Sequence, residues 1–114
     1  MLCKTLIKCC FTQGMSMKHY TPDRWIVMTI KTATESTDKV FAGWYGGFAK
    51  GDSWKLSSGI VDLTDYGDCV EFVNQSGSIY RCYKENQGMT SYMNSIYQHW
   101  LGETECEIII HDYV

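Results

Sequence analysis

The chain has 114 residues, of which 45% are hydrophobic and 14% aromatic, so it can build one domain with a core but not two. No apolar run approaches the roughly 18–20 residues that a membrane span needs. The net charge is −3 and is unevenly distributed. The first 31 residues carry five basic side chains and one acidic one, whereas the remainder carries five basic and twelve acidic side chains. This acidic body disfavours direct nucleic-acid binding, which requires clustered Lys and Arg.

The first residues of the chain allow two interpretations. Residues 1–16 form either an extension or a short helix, because the apolar residues of 1–11 recur at helical spacing. Lys8 interrupts the apolar stretch and no small-residue cleavage site follows, so a signal peptide is not expected. We expect a cytoplasmic protein whose single α+β domain covers 17–114, and whether residues 1–16 belong to its functional part stays open.

Six cysteines are present, but their spacing matches neither a disulfide framework nor a zinc site. There is no C-x-x-C pair and no grouping of Cys with His at metal-binding intervals. Free cysteine behaves as a small hydrophobic residue, so reduced and mostly buried thiols are favoured. Neither a metal nor another cofactor is expected.

The predicted fold is a mostly antiparallel sheet of about five or six strands with one main helix, at about 90–101, packed on it. The strands are predicted at 25–31, 39–45, 54–63, 69–73, 78–84 and 106–114. Gly59 inside the third strand indicates a bulge or a close backbone approach. Residues 46–53 nearly match a phosphate-binding loop, but Asp52 stands where that loop needs Lys, so a hairpin turn is favoured.

The clearest hairpin joins 69–73 to 78–84 through Asn74-Gln75-Ser76-Gly77. A turn centred between Gln75 and Ser76 places Cys69 opposite Cys82, close together but without a bond. A three-residue loop would shift the register and remove this pairing. Whether the two cysteines ever form a disulfide stays open.

One apolar stripe at the helical period predicts the helix. It consists of Met93, Ile96, Tyr97, Trp100 and Leu101. Thr90 is placed to cap the N-terminus, and Gly102 to end the helix in the left-handed conformation. The three isoleucines 108–110 predict that the last strand is buried, as an inner strand or one covered on both faces.

Three groups of residues are candidates for contact with a partner. The aromatic residues around the glycine loop are typical of binding hot spots, and they are Trp44, Tyr45, Phe48 and Trp54. The acidic loop 62–68 does not match calcium-ligand spacing, but it would steer a basic partner through Asp62, Asp65 and Asp68. The outer face of the helix is uncharged and would contact a partner or a second copy in a homodimer through Tyr92, Asn94, Gln98 and His99.

A nucleophile pair of Cys82 and His99 is the only catalytic arrangement that can be drawn from the sequence, since a reactive thiol needs a base beside it. Nothing in the sequence places the two together, and Cys82 alternates with its neighbours like an ordinary strand residue. A structural role is favoured, so no enzyme activity is expected.

The stretches 53–60, 76–83 and 88–93 resemble small accessory proteins of bacteriophages, over about residues 40–101. The resemblance implies a viral protein that binds and disables a host protein in the host cytoplasm, as anti-CRISPR and other inhibitors of host defence do. The alternative is a protein that sequesters a nucleotide-like small molecule in an aromatic pocket around Trp44 and Trp54. A small cysteine-dependent enzyme is the third hypothesis.

Overall fold

The computed structural model describes residues 18–46, 51–103 and 106–113, in which eight strands form two sheets and one α-helix lies between the seventh and the eighth strand. The strands are β1 (His19–Tyr20), β2 (Arg24–Lys31), β3 (Ser36–Trp44), β4 (Ser53–Leu56), β5 (Ile60–Asp65), β6 (Cys69–Asn74), β7 (Ile79–Tyr83) and β8 (Glu107–His111), and the helix α1 is Ser91–Glu103. Sheet I has the order β1-β7-β6-β5 and sheet II has the order β4-β3-β2-β8. All pairs are antiparallel except β1 with β7.

The predicted α+β class is confirmed, but the described residues hold more strands than the expected five or six. The predicted strand 54–63 is two strands, because the chain leaves sheet II after Leu56 and enters sheet I at Ile60. Ser57 makes this crossing without losing hydrogen bonds: its N–H donates to the carbonyl of Val40, and its hydroxyl accepts from the N–H of Val40 at 2.8 Å. The predicted helix at 1–16 lies outside the described residues.

Gly59 ends this crossing, and the predicted close approach at that position is confirmed. A Cβ there would lie 3.2 Å from both Thr37 Cγ2 and Gln75 Cδ. The Gln75 N–H donates to the Gly59 carbonyl at 2.8 Å. The glycine therefore lets the crossing pack tightly against the β6–β7 hairpin.

The largest core lies between the two sheets. Its buried residues are Trp25, Val27, Val40, Ala42, Val70, Phe72, Tyr80 and Cys82. Trp25 ties the sheets together, since its ring lies 5.9 Å from that of Phe72 and its indole N–H donates to the Tyr83 carbonyl at 2.7 Å. Tyr113, just after β8, packs edge-on against Phe72. Burial of this much aromatic surface supplies most of what holds sheet I to sheet II.

A second core fills the other face of sheet II, where α1 packs. It consists of Ile26, Met28, Ile30, Phe41, Leu56, Met93 and Trp100. Because β2 buries alternate residues in the two cores, its sequence is apolar on both faces, as in a strand covered on both sides. The molecule thus has three layers: α1, sheet II and sheet I.

The helix begins where the sequence predicts and ends later than expected. The Thr90 hydroxyl accepts the Met93 N–H at 3.0 Å, which confirms the N-terminal cap. The predicted end at Gly102 is wrong, because α1 continues to residue 103 and Gly102 does not have a positive φ. Leu101 was also assigned wrongly to the buried stripe: it is 44% exposed, since it lies about 100° around the helix from Trp100.

The β6–β7 hairpin corrects the predicted register. A three-residue loop joins the strands, with the Asn74 N–H on the Ser78 carbonyl and Gly77 at φ 89°. Cys69 therefore pairs with Tyr83 and not with Cys82, which pairs with Val70. Both cysteines are buried and free, whereas Cys106 is disulfide-bonded.

The last strand is less buried than predicted. In the described part of the chain β8 pairs with β2 alone and forms the end of sheet II. Ile108 and Ile109 are half-buried and Ile110 is exposed, so the expected inner position is wrong. Consecutive isoleucines favour a strand through their branched Cβ, but they do not determine whether both of its faces are covered.

Candidate binding edge at strand β5

The structure places the predicted partner-binding residues in separate regions and does not gather them into one site. Trp44 and Tyr45 lie at the end of β3, and Trp54 lies in β4. Asp62 and Asp65 belong to β5. The helix face carries Tyr92, Asn94, Gln98 and His99, and Phe48 lies outside the described residues.

The two tryptophans of the proposed aromatic pocket lie on opposite faces of sheet II. Trp44 faces sheet I, where its ring meets Tyr20 and its indole N–H donates to the Thr21 carbonyl at 3.1 Å. Trp54 faces the helix, with its ring 5.4 Å from Trp100. Trp54 pairs with Gly43 and so shares its face of the sheet, whereas Trp44, the next residue of β3, points to the other face, so these two side chains do not line one cavity.

The predicted outer face of α1 is exposed, and from Ser91 to Leu101 it carries no Asp, Glu, Lys or Arg side chain. Tyr92 and Leu101 are its large exposed side chains, on different flanks of the helix. Within the helix the backbone hydrogen bonds are formed internally. This face can therefore offer a partner side-chain contacts only.

The structure separates the two residues of the proposed catalytic pair. Cys82 is fully buried between the sheets, and His99 is exposed on α1, so sheet II lies between them. Burial raises the pKa of the Cys82 thiol far above its usual value, with a smaller contribution from Cys69. Because the thiolate is the nucleophile, this environment opposes the chemistry that the pair would need.

Strand β5 combines acidic residues with exposed apolar ones. The sequence predicts a loop at 62–68, but Asp62 and Asp65 lie in the strand and, of the three predicted aspartates, Asp68 alone lies in the turn after it. The apolar side chains Val61, Leu63 and Tyr66 are 60%, 44% and 59% exposed. The alternation of charged and apolar residues in this strand was visible in the sequence, but its position at a sheet edge was not.

The backbone of β5 is hydrogen-bonded on one side only within the described residues. The Tyr66 N–H donates to the Cys69 carbonyl, and in the register of the β5–β6 pair the same kind of bonded pair recurs at Thr64 and Asp62. The N–H and carbonyl groups of Leu63 therefore point away from β6. The Leu63 N–H is instead bonded to the Asp62 carboxylate at 2.9 Å, which is consistent with this direction.

Two of the carboxylates in this region form salt bridges. Asp65 Oδ1 lies 2.9 Å from Nζ of Lys84, the residue after β7, and Glu71 Oε2 lies 2.6 Å from Nη2 of Arg81, which belongs to β7. The Gly67 N–H first, and Lys84 second, lower the pKa of Asp65. Asp62 and Asp68 form no salt bridge in the described part of the chain, so the edge keeps an excess of negative charge.

Sequence reasoning missed one polar cluster, which links three strands of sheet II. The Thr29 hydroxyl donates to Asp38 at 2.6 Å and contacts His111 Nε2. A carboxylate only accepts, so the single hydroxyl proton goes to Asp38 and His111 must donate. His111 is then not a base towards Thr29, and the cluster serves as a brace across the strands. The polar residue Thr29 within an otherwise apolar strand was the only sign of this cluster in the sequence. The partners of Thr29 depend on the register of the strands, which the sequence does not reveal.

The comparisons with known proteins leave this site to be interpreted from its own geometry. No family model, no curated protein and no solved structure matches the chain. Among the described residues there is no group of three or more His, Cys, Asp or Glu side chains that could hold a metal ion. No helix of the described residues is both long enough and apolar enough to cross a membrane.

Proposed function

We propose that this chain is a non-enzymatic protein that binds and inhibits a host protein, and that β5 is its contact surface. One observation carries the proposal: a single strand at the end of a sheet combines exposed apolar side chains, backbone groups that point outward and uncompensated acidic residues. Soluble proteins usually blunt such an edge with charge or cover it, because it attracts other strands. The exposed Val61, Leu63 and Tyr66 remain available on this edge.

The apolar residues of β5 contribute little to folding, which favours a role in binding. Leu63 pairs with the buried Phe72 across the strands, yet almost half of its own surface is exposed. Tyr66 is exposed in the turn, and tyrosine is among the residues that most often contribute large binding energies. The acidic residues beside them would speed encounter with a basic partner and lower the rate for acidic ones.

The setting of the proposal comes from the resemblance to phage accessory proteins. In that setting the chain acts in the cytoplasm of a bacterial host, on a protein that presents a basic surface. A component of a host defence system, whose nucleic-acid-binding surfaces are rich in Lys and Arg, fits this requirement. Inhibition would follow from covering such a surface.

Capture from a bacterial host lysate tests the proposal, with the wild-type chain and two variants matched in residue type and exposure. Leu63→Ser and Leu101→Ser each remove a leucine that is 44% exposed, the first from β5 and the second from the helix face. We expect the wild-type chain and Leu101→Ser to capture the same partner protein. Leu63→Ser should capture much less of it. The same partner should elute as the salt concentration rises.

Two results would contradict the proposal. Recovery of no partner at any salt concentration would exclude a stable protein complex. A partner lost by Leu101→Ser and kept by Leu63→Ser would move the contact surface from β5 to α1. Circular dichroism and the melting temperature of each variant show that the fold is intact, which both interpretations require.

A further inference from the structure

We infer that the partner contributes an extended, basic segment that pairs with β5 as an additional strand of sheet I. This inference rests on the proposed function and specifies the chemistry of the partner. Strand addition requires a sheet edge with free backbone groups and a side-chain pattern that the incoming segment can match. Strand β5 offers both.

The backbone groups that face outward set the hydrogen bonds of the added strand. Bonded pairs with β6 occur at Asp62, Thr64 and Tyr66, so the groups of Leu63 and Asp65 point to the open side. The strand is Ile60–Asp65, which gives an edge of roughly 16–20 Å at about 3.3 Å per residue. A segment of about six residues matches this length.

The side chains of β5 determine the pattern that the segment needs. Directly paired residues share a face, so a residue opposite Leu63 lies on the same face as Phe72 and is expected to be apolar. A residue opposite Asp62 lies on the outer face and meets a carboxylate that forms no salt bridge with any described residue. The edge therefore selects a strand in which cationic and apolar residues alternate.

The acidic residues explain why this edge stays available to one class of partner. The Asp62 carboxylate accepts a hydrogen bond from the N–H of Leu63, and a bulge at residues 60–62 interrupts the hydrogen bonding between β5 and β6. Both features oppose pairing with an arbitrary strand, and pairing of two β5 edges would bring like charges together. A Lys or Arg beside Asp62 would draw the carboxylate away from Leu63 and free the N–H. The charge that repels other strands thus admits a basic one.

Synthetic peptides test the inference directly. The probe is a seven-residue peptide of alternating Lys and Val, blocked at both ends, and its binding is measured by fluorescence anisotropy. The first control replaces Lys by Glu, and the second keeps Lys and Val but methylates the backbone nitrogens along one edge. We expect the Lys peptide to bind and the Glu peptide not to bind. Methylation should weaken binding by roughly tenfold or more, as the loss of two or more net hydrogen bonds implies.

Protein variants give a second, independent measurement. Leu63→Pro removes an outward N–H that β6 does not use, so the fold should survive while the added strand loses a donor. Asp62→Lys reverses the charge at the edge, and Glu35→Lys makes the same charge change at an exposed residue of the β2–β3 turn. We expect the first two variants to lose at least tenfold in peptide affinity, and Glu35→Lys to lose no more than about twofold, in line with screened long-range charge effects.

Each outcome separates the inference from the proposed function. Equal binding of the methylated and unmethylated Lys peptides would show that charge alone is recognised, and strand addition would be rejected. Failure of every peptide to bind, while the wild-type chain captures a partner that Leu63→Ser loses, would reject a basic strand and leave protein binding through β5 in place. Failure of both the peptides and the capture experiment would reject the proposed function itself.

Discussion

Strand β5 and the outer face of α1 expose similar side chains but differ in their backbone. Leu63 on β5 and Leu101 on α1 are each 44% exposed, and each region also exposes a tyrosine, Tyr66 just after β5 and Tyr92 on α1. In the helix, however, each N–H inside the element bonds to a carbonyl four residues earlier. In β5 the N–H and carbonyl of Leu63 have no such backbone partner in the part of the chain that the structure describes. Side-chain exposure alone therefore does not distinguish a contact surface from an ordinary solvated face.

The two regions also differ in their charge and therefore in the partners that they repel. The helix face has no charged residue from 91 to 101, so it offers neither attraction nor repulsion to a charged partner. The β5 edge carries Asp62, and the turn after it carries Asp68, neither of which forms a salt bridge among the described residues, so this edge would repel an acidic partner and attract a basic one. A surface that discriminates is a better candidate for a specific complex than one that does not. Substitutions in each region distinguish a role in folding from a role in binding.

The largest effect is expected for Phe72, the buried neighbour of Leu63 across the β5–β6 pair. Phe72→Ala should lower the free energy of unfolding by about 3–5 kcal/mol, because it removes a fully buried ring that contacts Trp25 and Tyr113. Leu63→Ala should cost less than about 1 kcal/mol. Urea denaturation of both variants measures the difference. Similar losses would show that Leu63 is a core residue, and its exposure would no longer favour binding.

The same contrast applies to the helix. Met93→Ala should cost about 2–5 kcal/mol, since Met93 is fully buried against sheet II beside Trp100 and Phe41. Leu101→Ala should change the free energy of unfolding by less than about 1 kcal/mol. Thermal and urea unfolding measure both. A loss at Leu101 as large as that at Met93 would place it in the core, as the sequence pattern predicted.

These pairs show how far the sequence alone determines the fold. The helix could be predicted because its apolar residues recur at a period that only a helix satisfies, and Thr90 marks its beginning. Leu101 and Gly102 were assigned wrongly because the period does not fix the width of the buried stripe, and glycine is also tolerated within a helix. The type of element follows from local pattern, whereas its exact end depends on packing.

The candidate site was only partly predictable for a related reason. The acidic residues at 62, 65 and 68 were recognised, but their assignment to a loop hid the edge that gives them a role. Whether a strand lies at the edge or the centre of a sheet depends on pairing between distant segments. The local signal of the crossing between β4 and β5 is Gly59, which indicates a bulge or a close approach but not a change of sheet. The cross-strand cluster at Thr29 was missed because it, too, depends on register.

A smaller effect is expected at the N-terminus of α1. Thr90→Ala should lower the free energy of unfolding by about 1 kcal/mol, because the Met93 N–H loses the hydroxyl that accepts it at 3.0 Å. Thr90→Ser keeps the hydroxyl and should recover most of this loss. Urea denaturation of the two variants separates capping from packing. If Ser is no better than Ala, the buried methyl group of Thr90 and not its hydroxyl would account for the loss, and the helix would be held by its stripe alone.

The smallest effect is expected in the pH dependence of the melting temperature, and it originates at Asp65 in β5. The Gly67 N–H and Lys84 lower the pKa of Asp65 in the folded state, so the ionised carboxylate stabilises the fold. This contribution is complete above the unfolded value of about 3.9 and is lost as the pH falls through the lower folded value. The melting temperatures of wild type and Asp65→Asn should therefore converge as the pH falls below about 4. Lys84→Gln should retain part of the dependence, because the Gly67 N–H is the larger cause. A full loss in Lys84→Gln would show instead that the salt bridge, and not the turn, holds this end of the edge.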